Sequence, residues 1–344
     1  MIYAGDVNGQ QCYISQFAPN ASICITGISG SGKTVRMQKI ELDSVQNGAT
    51  VIVFDLNQTH TAAQIFAPIY ETYNLYVNRI EAIKAGINLS FLTPMQGAQG
   101  EQESFVSLVN SAVNALTAGQ NMGLQQLGIL RKAVMNAVKN RPNFQTDLEA
   151  ISYFLLHAVD TRADGVYQRL WTVLNSGVFR QSEKSILHGR INILDFSMVD
   201  TITKGTLVEI VLSAMWRNTI MQGTRSQGTG LVLALDEFQL LSWKKSAVMR
   251  DILREGRRFG IKVVMATQTL EIFPRDVVSM LKQMANRLVF RPPTSEICRL
   301  AKMIDSKKYE MWSNQLSSLN IGESIGLGNF VVGGQEVSHP IKLN

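Results

Sequence analysis

The octapeptide GISGSGKT, residues 27–34, stands between the apolar run ASICI and the amphipathic stretch VRMQKIELDSV. Gly27 and Gly32 match the spacing G-x-x-x-x-G-K-[ST], and Gly30 adds further backbone freedom. Glycine permits a tight turn in which several backbone N–H groups converge on phosphate oxygens, while the helix that follows points its positive end at the same place. Gly27, Ser29, Gly30, Ser31, Gly32, Lys33 and Thr34 are therefore expected to form a nucleotide-phosphate cradle. Lys33 would reach the β- and γ-phosphates as a point charge, and Thr34 would set its hydroxyl on Mg²⁺.

Two further segments carry matching chemistry. In LVLALDEFQ, Asp236 ends an apolar run, where its carboxylate would hold Mg²⁺ through water, and Glu237 beside it would orient or deprotonate an attacking water. Adjacent acids in that position also fit a simple charge bias at a helix N-terminus. In REGRRFGIKVVMATQ, Arg254, Arg257 and Arg258 precede an apolar run that ends at Gln268. A neutral amide at the C-terminal edge of a parallel strand suits a γ-phosphate sensor, and an arginine on the domain edge suits a finger reaching a neighbouring subunit's nucleotide. Taken singly, basic residues closing a helix fit an interaction with its last carbonyls equally well.

The elements that must position these residues follow from the periodicity. IYAGDVNGQQCYI alternates around Asn8-Gly9, which predicts a hairpin. ASICITG reads as a strand, KTVRMQKIELDSVQNG as a helix closed by Gly48, and ATVIVFD as a central parallel strand with both faces covered. After a short strand in NLYVNRI, stretches with apolar residues at spacings of three and four predict a mostly helical insertion. Strands return in RINILDFS, GLVLALDEF, IKVVMATQ and RLVFRP, alternating with helices as a parallel sheet requires. ESIGLGNF and EVSHPIKL, flanking Gly333-Gly334, predict a terminal hairpin.

Bulk properties narrow the class. The 344 residues, 45% hydrophobic and 17% charged, describe a globular chain rather than a disordered one. No run approaches the length of a bilayer span, and the N-terminus lacks the pattern of a signal peptide, so a cytoplasmic protein is expected, docked if at all at the inner face of the membrane. Cys12, Cys24 and Cys298 have no C-x-x-C spacing, and His60, His157, His188 and His339 form no ligand pattern, which argues against a structural metal. The net charge of +6 is modest, but all of the excess falls in residues 190–344, where a polyanion-facing surface would be sought first.

With these segments in order, the sequence resembles the HerA/FtsK superfamily of P-loop motor ATPases, in the branch of HerA-type translocases, conjugative coupling proteins and type IV secretion ATPases. The resemblance runs through GISGSGKT, VIVFDLNQ, INILDFS, ALDEFQ and EGRRFGIKVVMATQ. It implies an α/β, RecA-like P-loop NTPase: a mostly parallel central sheet flanked by helices, with a core of residues 1–60 and 190–344, a helical insertion at 61–189 and short terminal hairpins. It implies ATP and Mg²⁺ as cofactors, double-stranded DNA threaded through a homohexameric ring, and conjugation or secretion machinery as a partner. By the same resemblance Lys33, Glu237, Gln268 and Arg257 are catalytic, Arg257 acting in trans with Arg254 and Arg258 as alternatives, and Thr34 and Asp236 hold the metal. The chain departs from the family in lacking an N-terminal β-barrel or membrane helices, and in carrying Gln58 where an acid is common. The alternative within the fold is a secretion or conjugation ATPase; a P-loop kinase or a nucleotide-gated scaffold fits the acid pair and the sensor amide less well.

Overall fold

The computed structural model describes residues 1–14, 22–224 and 230–344. Its N-terminal hairpin pairs β1 (Ile2–Val7) with β2 (Gln10–Ile14). Asn8 and Gly9 between them take φ of 50° and 80°, the left-handed pair that a type I′ turn needs. β3 (Ile23–Thr26) leads through the glycine-rich loop into α1 (Lys33–Gln46), and β4 (Thr50–Asp55) follows. α2 (Tyr70–Asn74) and β5 (Val77–Glu81) come next. The chain then runs through four helices, α3 (Phe105–Leu116), α4 (Leu124–Lys139), α5 (Asp147–Leu156) and α6 (Ala163–Leu174), before returning as β6 (Ile191–Asp195).

The second half alternates: α7 (Thr201–Gln222), β7 (Leu231–Asp236), α8 (Val248–Glu255), β8 (Ile261–Thr267), α9 (Arg275–Lys282) and β9 (Asn286–Phe290). Two short helices, α10 (Ile297–Ile304) and α11 (Tyr309–Ser317), precede the tail strands β10 (Ser324–Leu327), β11 (Phe330–Val332), β12 (Gln335–Val337) and β13 (Ile341–Leu343). The main sheet has nine strands in the order β13-β10-β9-β3-β8-β7-β4-β6-β5. From β9 to β5 it is parallel, whereas at one edge β10 runs antiparallel between β9 and β13. The fold is thus α/β with a mostly parallel sheet flanked by helices.

Burial explains why the central strands read as continuous apolar runs. All of β4 and all of β8 are buried. Alternate residues of β4 face opposite cores: Ile52 and Phe54 join the helices α3–α8, while Val51 and Val53 join α1 and the N-terminal hairpin. The helices between β5 and β6 share the first of these cores, through α3 against α7.

The tail differs from a single terminal hairpin. Gly333 and Gly334, at φ of 57° and 84°, do turn a hairpin, but it joins only β11 to β12 and adds them to β2 in a separate four-stranded sheet. The outer segments, β10 and β13, join the main sheet instead. Three-residue strands bury too little to choose a partner locally, and the sheet edges left open by β2 and β9 decide.

Candidate active site

The three chemically marked segments end in register at one edge of the sheet. Thr26, the last residue of β3, pairs with Thr267, the last of β8, and Ala266 pairs with Asp236, the last of β7. One strand, β8, therefore separates the loop's strand from the acid's strand. The base of the loop is tied to both neighbours of β3: Gly27 N–H donates to the Thr267 carbonyl at 3.3 Å, and Ile28 N–H to the Arg291 carbonyl at 2.8 Å. Glycine is required at its two outer positions. A Cβ on Gly27, at φ 152°, would lie 2.7 Å from Phe290 Cβ, and one on Gly32, at φ 105°, would lie 3.1 Å from the backbone of Gly322.

Within the loop, Ile28 O accepts from Ser31 Oγ at 2.8 Å and from Lys33 Nζ at 2.9 Å, so the ammonium folds back on the loop. Lys33 is buried, and burial lowers its pKa against the opposing pull of Asp236 and Glu237. Thr34 Oγ1 donates to Asp236 Oδ2 at 2.9 Å. Asp236 is itself buried, and burial raises its pKa, with Glu237 adding to the rise and Thr34, His60 and Lys33 opposing it. A hydroxyl and a desolvated carboxylate, hard oxygen donors held in contact beside a phosphate cradle, suit Mg²⁺ in chemistry and placement.

Glu237 takes φ 61° and ψ 47°, a left-handed conformation that costs a non-glycine residue strain and is found preferentially at functional sites. The kink turns its carboxylate out of the strand line and onto the end of β8. There Oε1 accepts from Gln268 Nε2 at 2.9 Å and Oε2 from Gln239 Nε2. Gln239 Oε1 accepts in turn from Thr267 Oγ1 at 2.9 Å. The carboxylate is thus aimed by two amides, of which sequence reasoning singled out only Gln268. The signal for Gln239 was its place two residues after the acid in DEFQ; its role needs β7 and β8 to be neighbours.

A buried polar layer backs this edge, and no motif announced it. Asp55, which ends β4, accepts from the backbone N–H of Thr59 at 3.0 Å and of His60 at 3.2 Å. His60 Nε2 lies 3.1 Å from both oxygens of Glu41, and Tyr73 Oη donates to Glu41 Oε2 at 2.5 Å. Burial alone would lower the His60 pKa, but the Glu41 carboxylate, by charge and hydrogen bond, reverses this and the net shift is upward, helped by Asp55 and Asp236.

The structure thus brings Lys33, Thr34, Asp236, Glu237 and Gln268 together. It does not bring the arginines to them. Arg257 and Arg258 are exposed in a 3-10 turn (Gly256–Phe259) before β8, and Arg254 is exposed at the end of α8, paired with Asp251. The seven residues of β8 separate them from the loop, roughly 20 Å at the usual strand rise. None of the three can serve the phosphate cradle of its own chain.

No protein-family model matches the sequence, and no curated protein matches it. Solved structures do. VirB4 of Thermoanaerobacter pseudethanolicus is 15% identical and superposes at a TM-score of 0.70, covering 100% of this chain and 96% of its own. The fold is theirs. The bacterial conjugative coupling protein TrwB, truncated at its N-terminus, is 13% identical at a TM-score of 0.68, covering 98% of this chain and 87% of its own. TrwB in complex with ADP and Mg²⁺ superposes at 0.64 with 11% identity, over 94% of this chain and 85% of that one. The chain shares the α/β fold of these structures, a mostly parallel sheet flanked by helices. Among the described residues, no helix is long and apolar enough to cross a membrane.

Proposed function

We propose that the chain is a Mg²⁺-dependent ATPase of the HerA/FtsK type that translocates double-stranded DNA as a homohexameric ring. The observation that carries the ATPase reading is the convergence at one sheet edge of Thr34 with Asp236 and of Glu237 with Gln268. The loop's N–H groups and Lys33 would bind the triphosphate, Lys33 exchanging its contact with Ile28 O for the β- and γ-phosphates. Thr34 and Asp236 would hold Mg²⁺, which supplies charge neutralisation on the phosphates when bound. Glu237 would accept the proton of the attacking water, with Gln239 and Gln268 fixing its aim. Arg257 would act on the nucleotide of the adjacent subunit, because its own lies at the far end of β8. Residues 1–60 and 190–344 would form the motor core, and 61–189 its insertion. A cytoplasmic protein, docked at the inner face of the membrane when engaged with conjugation or secretion machinery, fits this reading.

The motor assignment is tested by ATPase rate with and without duplex DNA across a salt series. Stimulation that collapses with rising salt is expected, since phosphate contacts release counterions. Hydrolysis indifferent to DNA but dependent on assembly would favour a second reading, a secretion or conjugation ATPase that powers export. That reading draws support from the end-to-end superposition with VirB4, which covers 100% of this chain.

A further inference from the structure

A triphosphate bound as proposed would have a direction in this site, and the direction would say where the nucleoside lies. The groups suited to the γ-phosphate, Glu237 and Gln268, end β7 and β8, on one side of the loop's strand β3. The nucleoside must then leave on the other side, over β9 and β10. β10 runs antiparallel to β9, and its first residue, Ser324, pairs with the last residue of β9, Phe290. The turn leading into β10 therefore sits on the same sheet edge as the loop.

That turn, residues 320–323, is built rigidly. Glu323 N–H donates to the Asn320 carbonyl at 3.1 Å, and Gly322 at φ 90° occupies the position where a type II turn requires glycine. Glu323 Oε2 accepts from Asn320 N–H at 2.8 Å, and Glu323 Oε1 pairs with Lys342 Nζ at 2.8 Å. Gly322 N–H donates to the Ser31 carbonyl of the loop at 2.9 Å. Arg36, buried beneath, reaches the Gly322 carbonyl at 3.4 Å and the Asn344 carbonyl at 3.2 Å while lying over the rings of Tyr3 and Phe290. At the tip stands Ile321, 83% exposed, a stiff β-branched side chain on a fixed turn beside the phosphate cradle.

We propose that Ile321 is the platform on which the base of the nucleotide packs. The ligand class is a nucleoside triphosphate presenting the face of its base, because an aliphatic side chain offers area and no hydrogen bond. Gly322 serves as the hinge pin that keeps this platform at a constant height above the loop, through its bond to Ser31. The inference rests on the reading of residues 27–34 as a nucleotide site.

Titration calorimetry of the full chain with Mg²⁺ and two probes, the imido analogue of ATP and inorganic tripolyphosphate, separates the two ideas. Ile321→Ala is expected to weaken the nucleotide about fivefold, as loss of one partly buried aliphatic side chain would, and to leave tripolyphosphate unchanged. Ile321→Leu is expected to restore nucleotide affinity. Because the side chain is exposed, an unchanged melting temperature should accompany both variants. An Ile321→Ala variant that binds nucleotide as wild type does, or loses both probes equally, overturns the platform while leaving the loop's role intact. If Lys33→Ala does not weaken either probe, the nucleotide site itself is wrong and the platform falls with it.

Discussion

Glu237 is gripped by two amides, and the grip separates two roles that a single substitution would confuse. Glu237→Gln would remove the proposed proton acceptor but preserve size, so nucleotide binding should persist while the hydrolysis rate falls by about 10² or more. A variant that turns over normally would remove Glu237 from the chemistry. Gln239→Ala keeps the base and loosens its aim; kcat should fall by about tenfold or more with KM little changed, and an equal rise in KM would mean that Gln239 shapes the nucleotide pocket instead. The placing of Lys33, Thr34, Asp236, Glu237 and Gln268 at one sheet edge was legible residue by residue, because they sit in contiguous motifs that end or follow strands. Gln239, Thr267 and Ile321 were not legible, because their meaning arises only across strands. Nothing local distinguishes an isoleucine on a tight turn beside a phosphate loop from one on any other turn.

Helices α1 and α2 meet through the Glu41–His60–Tyr73 cluster, and the protonation of His60 ties that junction to pH. Since the folded-state pKa of His60 is raised above its ordinary value of 6.5, the imidazolium's contribution to stability is fully present below that value and is lost as pH rises through the folded one. Melting curves of wild type and His60→Asn between about pH 6 and about pH 9 should show the gap between them narrowing as the pH is raised. A gap that stays constant would show that the histidine is held neutral throughout. At this scale the parallel core was readable in advance, because strands covered on both faces must be apolar throughout and helices between them must be amphipathic. The short helices α10 and α11 and the division of the tail between two sheets were not. The three-residue strands of the tail carry too few alternations to choose a sheet, whereas the edge strand β5, half-exposed along most of its length, was read from NLYVNRI and its pairing with β6 was not.

The whole molecule has two unlike ends. At one, the strands present the glycine-rich loop, the acids and Gln268; at the other, the side chain of Arg257 is exposed. If Arg257 completes a neighbour's site as proposed, the contact is head to tail, and such a contact closes into a ring if its rotation permits. Arg257→Ala should therefore nearly abolish hydrolysis when it is the sole subunit, and a variant that hydrolyses ATP normally by itself would return the finger to Arg254 or Arg258. The same polarity makes a stronger demand. Arg257→Ala retains an intact catalytic edge and Glu237→Gln an intact arginine, so two dead parents share one complete set of parts between them. Combined in equal amounts, they should regain activity through complementation, at about a quarter of the junctions if subunits assort at random.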